Sequence, residues 1–219
     1  MILETAAVGP FFKNGFVIGC ERTREAVLVD PGDEVDELLA KVRALNLTVV
    51  GIPLTHAHVD HVSGVARAKR ACPSAPIYLH RDDLFLYDDA VAHGASFGLR
   101  VEPPPPVDVF YDGPGPLRFG DYDIFVHHTP GHCPGGVCLQ VGKQGERGLD
   151  LFVGDTLFAG SIGRTDLPGG DYDTLLTSIT RVLFSLGDDA RVYSGHGPET
   201  TIGRERRTNP FLLEWVRAH

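Results

Sequence analysis

The sequence predicts a mixed α/β fold with a sheet-rich core. Short apolar runs rich in β-branched residues alternate along the chain with segments whose apolar residues recur at helical spacing. The 219 residues are enough for a substantial core, and a composition of 42% hydrophobic and 22% charged residues is typical of a globular protein. Because strand and helix patterns are interleaved throughout, we expect one α/β domain covering residues 1–219.

The first half of the chain alternates strand and helix patterns. Its turn signals are Asp30-Pro31-Gly32 after the first apolar run and Cys72-Pro73 after the second helical segment. The pattern predicts strands at residues 26–29, 48–54 and 77–79, and helices at residues 35–45 and 62–71. Residues 81–106 are less regular, and their proline run is expected to form a surface connection.

The second half begins with a predicted hairpin arm and ends in helices. The clearest helix starts near Asp171, and Gly187 is well placed to end it. The pattern predicts a hairpin arm at residues 121–128, strands at residues 137–141, 149–153 and 191–194, and a last helix at residues 209–216.

Charge and composition exclude several classes of function. A net charge of −9 argues against a nucleic-acid-binding surface, and no run of apolar residues is long enough for a membrane span. No signal-peptide pattern is apparent at the N-terminus, so a cytoplasmic protein is expected. The four cysteines form no C-x-x-C pair, and reduced thiols are expected.

A dense cluster of candidate metal ligands follows the second predicted strand. His56, His58, Asp60 and His61 fall within six residues. In an extended backbone, residues two apart point the same way, so His56 and His58 can converge on one ion. Solvated or structural histidines are the alternative reading. That alternative would be preferred for a single histidine, but not for three histidines and an aspartate so spaced.

Three further candidates share one local pattern, in which an apolar strand ends in a polar residue beside glycine. They are His132 after Gly131, Asp155 after Gly154, and His196 after Gly195. A rigid sheet holds ligands placed at strand ends, and glycine lets the backbone approach a metal closely.

These seven side chains suit a two-metal centre. Three imidazoles leave one metal an open position, as catalytic sites do. We expect His56, His58 and His132 at one metal, Asp60, His61 and His196 at the other, and Asp155 as the bridge. Two divalent ions, zinc first with iron or manganese as alternatives, would generate a hydroxide that attacks a carbonyl or phosphoryl bond. Asp60 has a second, catalytic role in orienting this hydroxide.

Residues near the candidate ligands invite supporting roles. Asp30, at the end of the first predicted strand, either braces a ligand loop or caps a turn. Arg164 and Asp166 are expected to pair and fix a loop under the site. Cys133 is expected to pack rather than react, and surface or structural roles are expected for the five other histidines: His80, His93, His127, His128 and His219.

Taken together, these residues resemble the metallo-β-lactamase superfamily, whose signature is T-H-x-H-x-D-H followed by separate His, Asp and His ligands. The resemblance extends from residue 29 to residue 198. It implies an αββα four-layer sandwich with the metal site at one edge of two sheets. Class B β-lactamases usually lack the last histidine of the first motif and often have cysteine at the position of Asp155, so antibiotic hydrolysis is not expected.

Within the superfamily, residues 157–166 and 205–212 are similar to short glyoxalase II-like proteins. This similarity implies hydrolysis of a small-molecule thioester, of which the glutathione derivative S-lactoylglutathione is one example. The chain has one short helix soon after His196, so no separate C-terminal helical substrate domain is expected.

The chain also resembles persulfide dioxygenase, which is the alternative function. That enzyme oxidises glutathione persulfide with one ferrous ion, whose ligands match His56, His132 and Asp155. Its Gly-Arg-Thr-Asp segment also matches residues 163–166, but the context of residues 161–168 and the short C-terminal segment favour the hydrolase. A non-catalytic metal-binding regulator is a third reading, less favoured because both carboxylates are present. Nuclease and lactonase members share the same centre. The acidic charge disfavours a nuclease, whereas the sequence does not exclude a lactone substrate.

Overall fold

The computed structural model describes residues 1–111 and 115–218, so His219 lies outside the described residues. The chain forms two compact units, residues 1–122 and residues 123–219. Among the described residues, no helix is long and apolar enough to cross a membrane.

Within residues 1–111 and 115–121, the first unit forms seven strands and five helices. The strands are β1 (Ile2–Val8), β2 (Lys13–Gly19), β3 (Glu25–Val29), β4 (Thr48–Pro53), β5 (Ile77–Leu79), β6 (Val109–Phe110) and β7 (Leu117–Phe119). The helices are α1 (Val35–Ala44), α2 (Val59–Val62), α3 (Val65–Ala71), α4 (Leu84–Asp88) and α5 (Ala90–Ser96), with a short 3₁₀ turn at Arg81–Asp83.

The sheet of the first unit has the order β1-β2-β3-β4-β5-β6. The first three strands pair antiparallel, whereas β3, β4 and β5 run parallel. The carboxyl ends of β3 and β4 therefore meet at one edge, which is where open α/β sheets place their sites. Because β3 and β4 run parallel, Asp30, which follows β3, lies next to the segment that follows β4 and begins at Leu54.

The second unit contains the later strands and three helices. The strands are β8 (Tyr122–His128), β9 (Val137–Lys143), β10 (Asp150–Gly154), β11 (Leu157–Phe158), β12 (Ser161–Ile162), β13 (Arg191–Ser194) and β14 (Thr200–Thr201). The helices are α6 (Tyr172–Arg181), α7 (Ile202–Thr208) and α8 (Pro210–Ala218), with a 3₁₀ turn at Leu183–Leu186.

The sheet of the second unit includes the order β14-β13-β10-β9-β8, and β11 pairs with β12 as a separate hairpin. Strands β10 and β13 are parallel, so their carboxyl ends also meet at one edge. The apolar stripe of α6 supplies Leu175, Leu176 and Ile179 to a fully buried core that the strands complete. Asp171 begins this helix, because its side chain accepts a hydrogen bond from the N–H of Thr174 at 2.7 Å.

Several elements differ from the sequence-based prediction, among them three in the first unit. An N-terminal hairpin, β1–β2, was not predicted, because its residues do not form an apolar β-branched run. The predicted helix at residues 62–71 is broken at Ser63 and Gly64. Gly64 lies so close to the Gly32 carbonyl oxygen that a Cβ would overlap it. The irregular segment at residues 81–106 contains two short helices.

Candidate functional site

The first histidine cluster lies in the turn between β4 and α2. His56, His58 and His61 are all buried, which is unusual for three imidazoles in so short a segment. The ring centroid of His56 lies 5.0 Å from the ring centroid of His58 and 4.0 Å from that of His61. Asp60 Oδ2 is 3.7 Å from His61 Nε2. The first unit therefore groups four of the seven candidate ligands.

Asp30 supports this cluster from the end of β3. Its Oδ1 accepts a hydrogen bond from the N–H of Thr55 at 2.6 Å, and its Oδ2 accepts from the Thr55 hydroxyl at 2.5 Å. The same Oδ2 atom accepts from His61 Nδ1 at 2.9 Å. Asp30 is buried and has a left-handed backbone, with φ at +48°. Of the two roles open from the sequence, the brace is the one observed.

These hydrogen bonds indicate which ring nitrogen carries the proton in neutral His56 and His61. His61 donates from Nδ1 to a carboxylate, so its Nε2 has a lone pair. The Thr55 hydroxyl proton points to Asp30, so its oxygen accepts from His56 Nδ1 at 3.2 Å. His56 is thereby held in the same tautomer. Metal-ligating histidines characteristically donate their other ring N–H in this way.

Two further groups hold the backbone around the cluster. The buried carboxylate of Asp83 accepts a hydrogen bond from the N–H of Ala57, between the two histidines of the motif, at 3.1 Å. On the other side, the buried Lys13 ammonium donates to the carbonyl oxygen of Asp30 and lies 2.5 Å from Glu34 Oε1. The left-handed turn at Asp30 therefore rests on a buried ion pair.

The second unit groups the other three candidate ligands. Asp155 follows β10 and His196 follows β13, and the two parallel strand ends are joined by a hydrogen bond from Gly195 N–H to the Gly154 carbonyl at 2.8 Å. Asp155 Oδ2 is 3.5 Å from His196 Nε2 and 3.8 Å from His132 Nε2. One carboxylate oxygen thus lies between two imidazole nitrogens, at distances too long for strong hydrogen bonds.

His132 is oriented by the segment that follows the β11–β12 hairpin. Its Nδ1 donates to the carbonyl oxygen of Arg164 at 2.7 Å, which leaves the Nε2 lone pair directed away from that carbonyl. The His132 loop is anchored to α6, because the Gly131 carbonyl accepts from the N–H of Asp171 at 2.7 Å. Gly131 has φ at +133° and packs so tightly on Leu175 that a Cβ would overlap its backbone.

The residues present fit divalent metal ions. Neutral imidazole nitrogens and carboxylate oxygens are the donors that zinc, iron and manganese share. Three of the candidate histidines, His56, His61 and His132, have Nδ1 donating to an oxygen. This donor set suits hydrolytic metal chemistry.

Sequence reasoning did not find all of these supports. Nothing in the sequence marked Asp83, and the Arg164 contribution is a backbone carbonyl, which no residue pattern reports. The predicted Arg164–Asp166 pair is present as two hydrogen bonds of 2.7 Å. It holds the pKa of Asp166 down at about 2, through the hydrogen bonds from Arg164. Cys133 is buried, as expected of a packing residue.

The histidines next to the His132 loop have structural contacts. His127 Nε2 lies 2.9 Å from Gln140 Oε1, and His128 Nε2 donates to the Pro134 carbonyl at 2.8 Å. Burial lowers the pKa of His127. These contacts agree with the structural roles expected for both residues.

Comparison with known proteins identifies the family. Residues 8–196 match the family model described as the metallo-β-lactamase superfamily. The chain is 35% identical to the hydroxyacylglutathione hydrolase GloC of Haemophilus influenzae, over 97% of this chain and 98% of GloC.

Solved structures show the same similarity. The B3 metallo-β-lactamase BLEG-1 is 39% identical, with a TM-score of 0.86 over 96% of this chain and 99% of BLEG-1. TTHA1623, solved in a di-iron-bound form, is 42% identical, with a TM-score of 0.81 over 95% of this chain and all of TTHA1623. ETHE1 from Myxococcus xanthus is 27% identical, with a TM-score of 0.78 over 99% of this chain and 90% of ETHE1.

These matches confirm the fold class expected from the sequence. The chain belongs to the metallo-β-lactamase superfamily, whose fold it has and whose members are mostly metal-dependent hydrolases.

Proposed function

We propose that this protein is a metal-dependent thioester hydrolase that cleaves a glutathione-derived substrate such as S-lactoylglutathione. The proposal assigns His56, His58 and His132 to one divalent ion, Asp60, His61 and His196 to a second, and Asp155 to both. Zinc is the first choice of metal, with iron or manganese as alternatives.

The observation that carries the proposal is the common orientation of the imidazoles. His61 donates from Nδ1 to a carboxylate at 2.9 Å, and His132 donates from Nδ1 to a carbonyl at 2.7 Å. A buried histidine needed only for packing could use either nitrogen. Here the Nε2 atoms are kept as acceptors, which is the state that binds a metal.

Bound divalent ions would supply Lewis acidity at the thioester carbonyl and lower the pKa of water towards neutrality. The chain's own carboxylates would then divide two tasks. Asp155 holds its Oδ2 between His132 and His196 and balances positive charge there. Asp60 is the residue we assign to accept a hydrogen bond from the attacking water and so orient it. A thiolate is a good leaving group, so no strong protein acid is required for cleavage.

The substrate class rests on a relative of the same size. GloC is named for hydroxyacylglutathione hydrolysis, and the match covers 98% of its length. A further helical substrate domain is therefore not needed to account for this similarity. The di-iron form of TTHA1623 supports two metals for a relative that is 42% identical.

Persulfide dioxygenase is the second candidate, and the similarity to ETHE1 favours it. ETHE1 is matched over 99% of this chain. The dioxygenase reading needs one ferrous ion at His56, His132 and Asp155. It leaves Asp60, His61 and His196 without a direct task, whereas His61 is buried and oriented by Asp30. The hydrolase gives this oriented histidine a role.

The deciding experiment measures metal content and two reactions on one preparation. We expect two metals per chain, together with release of glutathione from S-lactoylglutathione. Oxygen uptake with glutathione persulfide and a single iron per chain would instead establish the dioxygenase. A chromogenic cephalosporin, included because of the similarity to BLEG-1, is expected to react slowly or not at all.

The ligand assignment is tested by His58→Ala and Asp155→Ala, which should each lose metal and activity. His127→Ala is the matched control, because His127 bonds to Gln140 and is outside the proposed ligand set. Retention of full metal content and turnover in either ligand variant would show that the assignment is wrong.

A further inference from the structure

Two polar side chains near α7 are completely buried, although both carry groups that need hydrogen bonds. Glu205 lies in α7, and Asn209 follows that helix directly. Burying a carboxylate costs several kcal/mol unless donors compensate it. The arrangement of donors around Glu205 therefore indicates what this residue holds in place.

The Glu205 carboxylate accepts three hydrogen bonds. Oε1 accepts from the Thr200 hydroxyl at 2.6 Å. Oε2 accepts from the backbone N–H of Gly160 at 2.8 Å and from Nδ2 of Asn209 at 2.9 Å. Two of the donors are local, whereas Gly160 lies 45 residues away in the sequence, in the β11–β12 hairpin.

Asn209 holds the same hairpin at the adjacent residue. Its Nδ2 donates to the carbonyl oxygen of Ser161 at 3.0 Å as well as to Glu205. Gly160 turns the hairpin with φ at +73°. Together, Glu205 and Asn209 bind an N–H and a C=O of two consecutive residues at this turn, which restrains both its position and its rotation.

The hairpin joins two parts of the candidate site. Asp155 precedes it by two residues, and Gly163 and Arg164 follow it. Gly163 lies so close to the Asp155 backbone that a Cβ would overlap the Asp155 carbonyl oxygen, and its Cβ position is 3.2 Å from His132 Nδ1. The next residue, Arg164, supplies the carbonyl that accepts from His132 Nδ1 at 2.7 Å.

We propose that Glu205 and Asn209 are positioning residues for His132 and Asp155. By fixing the hairpin turn, they keep the Arg164 carbonyl against His132 Nδ1 and hold the Nε2 atom near the Asp155 carboxylate. The inference rests on the ligand set of the proposed function. It also connects the two segments that resemble glyoxalase II-like proteins, because Glu205 and Asn209 in residues 205–212 hold the hairpin of residues 157–166 in place.

The test uses Glu205→Gln and Asn209→Ala in the full chain. Glutamine has one acceptor oxygen, so one of the donors now facing Glu205 meets an NH₂ group instead. Asn209→Ala removes the bond to the Ser161 carbonyl. We expect zinc affinity, measured by competition with a chelator, to fall about 10- to 100-fold in each variant. The visible absorption of the cobalt-substituted protein should also change.

Asp123→Asn is the matched control. Asp123 is a buried carboxylate of the same unit that accepts from a glycine N–H, that of Gly145, at 3.1 Å. It lies outside the hairpin contacts, so we expect wild-type zinc affinity and cobalt absorption whatever its effect on stability.

Both variants could instead unfold at a lower temperature while zinc affinity and cobalt absorption stay unchanged. That result would show that Glu205 and Asn209 stabilise the fold but do not position the metal ligands. Should Glu205→Gln fail to fold, Asn209→Ala decides alone, because it leaves Glu205 with two of its donors. His132→Ala and Asp155→Ala are measured in parallel. If they keep full zinc affinity, the proposed metal centre is wrong; if only they lose zinc, the positioning role alone is wrong.

Discussion

Asp30 Oδ2 accepts a hydrogen bond from His61 Nδ1 at 2.9 Å, from a position 31 residues earlier in the chain. The same carboxylate bonds the backbone and the hydroxyl of Thr55, the residue before His56. A single buried aspartate therefore sets the tautomer of one candidate ligand directly and of another through a hydroxyl.

Replacing Asp30 with asparagine should weaken zinc binding about 10- to 100-fold, because supporting partners of metal-bound histidines contribute on that scale. Asparagine tolerates the left-handed backbone at φ +48°, so the fold should survive. Its single acceptor oxygen cannot satisfy the donors from both Thr55 and His61. Chelator competition measures the loss. Asp33→Asn, which changes an exposed contact to Ser63, should bind zinc as the wild type does.

Replacing Lys13 with methionine should destabilise the fold by about 3–5 kcal/mol, because it leaves the Glu34 carboxylate buried without its cation. Lys13 is 1% exposed and Glu34 is fully buried. Urea unfolding measures the change. Adding Glu34→Gln to Lys13→Met should recover part of the stability. If the double variant is less stable than the single one, the buried ion pair is not the cause.

Replacing Gly163 with alanine should disturb the metal site, because its Cβ would overlap the Asp155 carbonyl oxygen. We expect both a lower unfolding temperature and weaker zinc binding. Gly145→Ala is the control in the same unit. Gly145 has φ at +81° with open space around it, so alanine should cost about 1 kcal/mol of stability and leave zinc affinity unchanged. Equal zinc affinity in both variants would argue against a close contact at Gly163.

The Arg164–Asp166 pair predicts a specific dependence on pH. The hydrogen bonds from Arg164 lower the pKa of Asp166 to about 2, below the ordinary value of about 3.9. The stabilisation from this lowered pKa is present above the ordinary value and is lost as the pH falls towards 2. Carbon-13 NMR of the carboxyl group should report the low pKa. In Arg164→Ala the pKa should return towards 3.9, and an unchanged titration there would contradict the pairing.

The candidate site could be proposed from the sequence because the candidate ligands follow local patterns. The cluster from His56 to His61 lies in one short segment, and Asp155 and His196 each follow an apolar strand beside glycine. Most predicted strands were found at or near the expected positions. The N-terminal hairpin escaped prediction because a strand such as Ile2–Val8 gains its stability by pairing with its neighbour, from Ile2 opposite Gly19 onwards.

The candidate ligands and the family could be predicted from the sequence alone, because both depend on residue types at short spacings. The groups that orient those ligands are known only from the three-dimensional contacts. Asp30 reaches Thr55 across 25 residues, and Glu205 reaches Gly160 across 45. Such contacts arise where parallel strand ends, or the buried face of a helix such as α7, bring distant segments together. Their partners include backbone N–H and C=O groups, which every residue carries and which leave no signature in the sequence.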